Sequence, residues 1–193
     1  MSLGLTAQAA NYKYFPDVPD DALYVYEINF LKDVGIFSGD EKGNFNPTKT
    51  MTRAEAATLM VRLFVGDITV ATSTGSFTDV QSSHWAFGYI ETAVNHGMIN
   101  GYGNGKFGPN DELTYAQAVT LLVRALGYFD VAEELGGWPD GYIAVGDVLG
   151  MTDDTVNLSG NPVPRNIVAK LIYNACFQNP ALENDEYDPY EVY

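Results

Sequence analysis

The 193-residue chain has one cysteine, two histidines and ten Lys and Arg against 25 Asp and Glu. A lone Cys176 cannot close a disulfide within the chain, and so few histidines and cysteines supply no set of metal ligands at usable spacing. The shortage of cations leaves a formal charge of -15 and a pI near 4.2, a field that repels nucleic acid and anionic membrane surfaces. No stretch approaches the roughly 20 consecutive apolar residues that a membrane-spanning helix requires. Core material is plentiful, however: 46% of residues are hydrophobic and 13% aromatic, far from the composition of a disordered acidic segment. Stability must therefore come from packing.

What the chain has instead is repetition. Phe15-Pro16-Asp17-Val18 returns 62 positions later as Phe77-Thr78-Asp79-Val80, Gly39 as Gly101, Phe45 as Phe107, Pro47 as Pro109, and Thr52-Arg53-Ala54-Glu55 as Thr114-Tyr115-Ala116-Gln117. An eroded third copy follows at a spacing of 53, where Trp85, Tyr89-Ile90 and Gly97-Met98 recur as Trp138, Tyr142-Ile143 and Gly150-Met151. Units of about 50 to 60 residues are marginal on their own, which predicts one shared core. The segments are 11–66, 77–127 and a degenerate 128–180, with a polar linker at 67–76 and an acidic, tyrosine-rich tail at 181–193. Residues 1–10 carry Ala7-Gln8-Ala9, the small-x-small pattern that precedes signal-peptide cleavage, and read as a signal remnant or a flexible N-terminus.

Each repeat holds two helical patterns separated by a glycine-rich loop. Leu23, Ile28, Leu31 and Val34 align with Trp85, Ile90, Ala93 and His96 as one apolar stripe, and Gly35 and Gly97 follow as helix-ending residues. The second pattern places Ala56, Leu59, Met60, Leu63 and Phe64 opposite Ala118, Leu121, Leu122, Ala125 and Leu126, then opposite Val168, Leu171, Ile172, Ala175 and Cys176. Spacings of i, i+3, i+4, i+7 and i+8 predict three equivalent helices that turn one face to a common centre. In that register Cys176 is a small buried hydrophobe rather than a reactive thiol, and His84 and His96 are structural or exposed. A short helix is expected between 127 and 137.

Several motifs fail on context. Gly103-Asn104-Gly105-Lys106-Phe107-Gly108 fits a dinucleotide fingerprint, but its copy reads Glu41-Lys42-Gly43-Asn44-Phe45-Asn46, so it is a turn with an aromatic plug. Asp40-Glu41-Lys42-Gly43-Asn44 is no calcium loop, because Lys42, Phe45 and Met51 fall where a ligand, a glycine and an acid are needed. Thr52 with Glu55, and Thr114 with Gln117, are capping boxes. Capping does not account for Arg53, a cation in the first turn of a helix, where the partial charge is positive. Arg165 recurs at that place behind Pro164. Two functions remain open for these arginines, an anion site built with the free amides of the helix start, or an ion pair with a neighbouring carboxylate. Because a cation there does nothing for its own helix, its removal is expected to leave stability little changed.

Together, Phe-x-Asp-Val, the helical Trp and Ala, the Gly-Tyr-Gly-x-Gly-x-Phe-x-Pro-Asn loop and the Thr-Arg-Ala-Glu helix start resemble the S-layer homology repeat over residues 15 to 178. The resemblance implies an all-α fold in which three helix–loop–helix repeats form one pseudo-threefold unit around a central helical bundle. It implies a non-enzymatic, secreted, monomeric module without cofactor or metal, which anchors exported proteins to the Gram-positive cell wall by binding an anionic, pyruvylated secondary cell wall polysaccharide. The ligand contacts it implies fall on Arg53, Thr52 and Glu55, on Tyr115 and Gln117 in the second repeat, on Arg165 in the third, and on Trp85, Gly39 and Gly101. Tyr115 in place of arginine marks the weakest groove. A protein-interaction module on the same scaffold is the rival; a two-carboxylate glycosidase is the other, although no acidic pair stands out from the repeat pattern.

Overall fold

The computed structural model describes residues 14–66, 68 and 75–178. The signal-remnant reading at 1–10, most of the 67–76 linker and the 181–193 tail lie outside the described residues. Among the described residues there are seven α-helices and no strand: α1 (Val25–Asp33), α2 (Arg53–Phe64), α3 (Phe87–Asn95), α4 (Tyr115–Ala125), α5 (Phe129–Glu134), α6 (Asp140–Val148) and α7 (Arg165–Tyr173), the last running into a π-helical turn at Asn174–Gln178. None of these helices is long and apolar enough to cross a membrane.

The long stripes of α2, α4 and α7 meet as their spacing requires. Leu59 and Met60, Leu121 and Leu122, and Leu171 and Ile172 surround one small apolar void. Each such side chain contributes on the order of 1.5–3 kcal/mol by leaving water. The other helices cover this bundle from outside, α3 on α2, α6 on α4 and α1 on α7. Since α1 comes from the N-terminal segment and α7 from the C-terminal one, the chain closes on itself.

The stripes proposed for α1 and α3 are shorter than the sequence suggested. Ile28, Leu31, Ile90 and Ala93 are buried, whereas Leu23, Val34, Trp85 and His96 are exposed. The helices begin only at Val25 and Phe87, so Leu23 and Trp85 sit on the preceding turn and do not share the helical register. Gly35 and Gly97 follow with φ of 79° and 69°, the left-handed conformation that ends a helix at least cost in glycine.

Both capping boxes form. Thr52 accepts from the Glu55 amide and Glu55 Oε2 accepts from the Thr52 amide at 2.8 Å; Thr114 and Gln117 repeat the exchange. The next two amides of each second helix donate outward. Arg53 and Ala54 donate to Asp111 and Pro109, Tyr115 and Ala116 to Asn161 and Ser159, and Arg165 and Asn166 to Lys49 and Pro47. The helix-start amides are thus satisfied by the loop of the next segment around, a ring that ties the segments into one cooperative unit. Two of the three loops are braced in turn by the aspartate of Phe-x-Asp-Val: Asp17 accepts from the Phe45 and Asn46 amides, and Asp79 from those of Phe107 and Gly108. Those bonds hold Phe45 and Phe107 fully buried.

Candidate functional site

Arg53 starts α2, but its side chain leaves that helix. Nε donates to the Phe107 carbonyl at 2.9 Å and Nη2 to the Asn100 carbonyl at 2.8 Å, while the guanidinium lies 4.7 Å from the Tyr102 ring centre and 4.8 Å from that of Phe107. It is 4% exposed. Desolvation lowers its pKa, with Tyr102, Asp111 and Asp79 opposing, yet an arginine stays charged under such a shift. Arg165 is placed alike, with Nε donating to the Phe45 carbonyl at 2.8 Å and the guanidinium over Phe37 and Phe45; burial lowers its pKa as well. Neither arginine forms an ion pair among the described residues, where Lys170 with Glu27 makes the salt bridge. The misplaced cation therefore serves the neighbouring loop rather than its own helix, and Nη1 of each guanidinium is left without a hydrogen bond among the described residues.

Each arginine forms part of the wall of an open groove. The Arg165 groove, about 280 Å³, brings Arg165 together with Gly39, Glu55, Arg62 and Trp85. The Arg53 groove, about 350 Å³, brings Arg53 together with Gly101, Gln117, Arg124 and Trp138. Glycine is needed in both walls because the loop folds tightly: a Cβ on Gly39 would lie 2.7 Å from the Gly43 backbone, and one on Gly101 2.3 Å from the Phe77 ring. The two tryptophans are 61% and 60% exposed, which leaves flat apolar rings at the groove mouths. Arg62 lies near the Tyr89 ring and Arg124 over that of Phe129, so a second guanidinium joins the first in each groove.

The sequence reading grouped Arg53 with Thr52 and Glu55. In the structure Arg53 shares a groove with Gly101 and Gln117 instead, and Glu55 shares one with Arg165, Gly39 and Trp85. Thr52 lines neither groove and uses its side chain on the cap. Tyr115 is also outside both grooves; it is 0% exposed, its hydroxyl 2.8 Å from that of Thr155. The corresponding surface between the N- and C-terminal segments is tied up internally. Lys170 meets Glu27 at 3.0 Å, Asn174 takes the register position of Arg62 and Arg124 and donates to the Met151 and Asp153 carbonyls, and the Tyr24 hydroxyl donates to Asp154.

Arg62, Arg124, Tyr102 and Trp138 were not singled out as site residues from sequence. Arg62 and Arg124 carried a signal, since they stand at the same 62-residue spacing as the capping boxes. Cys176 is packed against the core, and burial pushes its thiol up to about 12, well away from a thiolate. His84 Nδ1 accepts from the Ala86 amide ahead of α3, and His96 is exposed.

A family model of the S-layer homology domain matches residues 14–57 and 76–119. The chain is 35% identical over 172 residues to a cell surface protein of Thermoanaerobacter kivui, covering 88% of this chain and 22% of that protein. It is 33% identical over 147 residues to the middle cell wall protein of Brevibacillus brevis, covering 75% of this chain and 14% of that protein. A cellulosome-anchoring protein of Acetivibrio thermocellus is 33% identical over 114 residues, 58% of this chain and 26% of that protein. The chain thus spans about a quarter or less of the length of these relatives.

Proposed function

We propose that the two S-layer homology segments, with 128–180 as a diverged third copy completing a pseudo-threefold unit, anchor an exported protein non-covalently to the cell wall by binding an anionic, pyruvylated secondary polymer in the Arg53 and Arg165 grooves. The observation that carries this reading is the repeated assembly of an arginine that bonds a loop carbonyl and forms no ion pair among the described residues, buried at Arg53 and half-buried at Arg165, with a second arginine and an exposed tryptophan. Guanidinium N–H groups suit a ketal-linked carboxylate, and a tryptophan face suits the apolar side of a sugar ring. The closed ring of helix-start amides supports the three-part unit. A cell-wall or cell-surface location and a non-enzymatic role agree with the matched domain and with relatives named for the cell wall, the surface layer and cellulosome anchoring. The third surface, closed by its own hydrogen bonds, takes no ligand in this scheme.

Co-sedimentation with cell-wall sacculi tests the proposal. Binding should be lost once the secondary polymer is chemically stripped. Binding that persists on stripped sacculi would point to peptidoglycan and overturn the polymer assignment, and binding to a surface protein alone would favour the interaction-module reading.

A further inference from the structure

Glu55 and Gln117 occupy the same place in their grooves and perform the same capping task, and that task determines which atom each has left over. The Thr52 amide donates to Glu55 Oε2 at 2.8 Å, so the spare atom is Oε1, a charged acceptor. The Thr114 amide donates to Gln117 Oε1 at 3.1 Å. A backbone N–H requires an oxygen, so the amide orientation is settled and the spare atom is Nε2, which can only donate. Neither spare atom has a hydrogen bond among the described residues. Both side chains line their cavities.

Resting on the polymer-binding reading above, we infer that the two grooves recognise opposite hydrogen-bonding groups on the sugar: the Arg165 groove takes a hydroxyl or N–H donor at Glu55, and the Arg53 groove takes an acceptor oxygen at Gln117. The arginine and tryptophan of each groove address features common to every anionic sugar of the polymer, so the residue paired with them sets the difference. A site built to receive a donor rejects an analogue lacking it, because the carboxylate oxygen is then desolvated without a partner. One molecule therefore engages the polymer at two chemically distinct positions rather than at two copies of one.

The chain supplies its own reporters, since its two tryptophans stand one in each groove. Trp138→Phe leaves Trp85 to report the Arg165 groove, and Trp85→Phe leaves Trp138 to report the Arg53 groove. Each form is titrated, by fluorescence with calorimetry alongside, with the methyl glycoside of a pyruvylated hexose and with its O-methylated counterpart, which keeps the carboxylate and every acceptor oxygen but has no hydroxyl donor. The Arg165 groove should lose roughly tenfold or more in affinity for the methylated probe, the size of a charge-assisted hydrogen bond, while the Arg53 groove changes by less than about threefold. Glu55→Gln should abolish that discrimination and Gln117→Glu should create it, with melting temperatures unmoved because either side chain caps its helix through an oxygen. The swaps are isosteric, so they also separate lost donation from the bulk of the methyl groups. Equal sensitivity in both grooves, or swaps without effect, overturns the inference and leaves polymer binding standing. No calorimetric response to the parent glycoside in either form overturns the polymer-binding reading and this inference with it.

Discussion

Replacing Arg53 by alanine removes a side chain that holds two backbone carbonyls of another segment. The Phe107 oxygen is buried and the Asn100 oxygen partly so, and an unpaired buried acceptor costs about 1–3 kcal/mol. Loss of the contacts with the Tyr102 and Phe107 rings adds about 0.5–2 kcal/mol. Against this, the variant no longer has to desolvate a guanidinium, an effect that itself amounts to several kcal/mol and cancels much of the loss. A net destabilisation of about 2 kcal/mol is expected, which for a domain of this size lowers the melting temperature by roughly 4–8 °C. Arg165→Ala, with one such hydrogen bond to Phe45, should lose about half as much. Scanning calorimetry measures the shift, and amide exchange should show faster exchange at Phe107 and Gly108, whose amides Asp79 binds in the same loop. A melting temperature within about 1 °C of wild type, with exchange unchanged, would refute the role assigned to Arg53 in bracing the loop. The outcome also separates two views of the residue: considered only within its own helix, its removal should be neutral.

Leu171→Ala, at the junction of the long helices, should cost about 2–5 kcal/mol and lower one cooperative calorimetric transition rather than split it; release of a stable N-terminal repeat by limited proteolysis would contradict the shared core. Burial alone would raise the Asp79 carboxyl, but hydrogen bonds from the Phe107 and Gly108 amides, with help from its own amide and Lys106, hold it below the ordinary carboxylate range. A group depressed on folding contributes stability that is complete above its unfolded value near 4 and is lost as pH falls through the folded value, so Asp79→Asn should flatten the acid limb of the stability curve below about pH 4 in circular-dichroism melts. With a net charge of -15, long-range repulsion from an anionic polymer should slow association at low ionic strength, so moderate salt should leave affinity nearly unchanged or quicken binding in surface plasmon resonance; a steep loss with salt would indicate a broad basic surface instead.

Much of what neighbours in the chain determine was readable from the sequence alone, although the starts of α1 and α3 were not, so that Leu23 and Trp85 fell outside the stripes expected of them. Thr52 and Glu55 are three positions apart, so their mutual cap follows from helix geometry, and the stripe from Ala56 to Phe64 follows from its period. The repeat length, the all-helical fold and the burial of Phe45 and Phe107 were legible through recurrence along the chain, although the bonds that hold those two rings come from Asp17 and Asp79, 28 residues away. What needed the tertiary structure was each pairing between segments. Arg53 finds its partner at Phe107, 54 residues away, and that partner is a backbone carbonyl, which no side-chain pattern announces. The Lys170–Glu27 contact spans 143 residues and closes a surface that the repeat pattern left open. The grooves themselves combine Arg165 with Trp85 and Arg53 with Trp138, because each helix start hands its side chain to the next segment around the ring. The change from Glu55 to Gln117 was visible at once, but its meaning was not. Only the folded cap decides which oxygen is occupied, and so whether the groove is offered an acceptor or a donor.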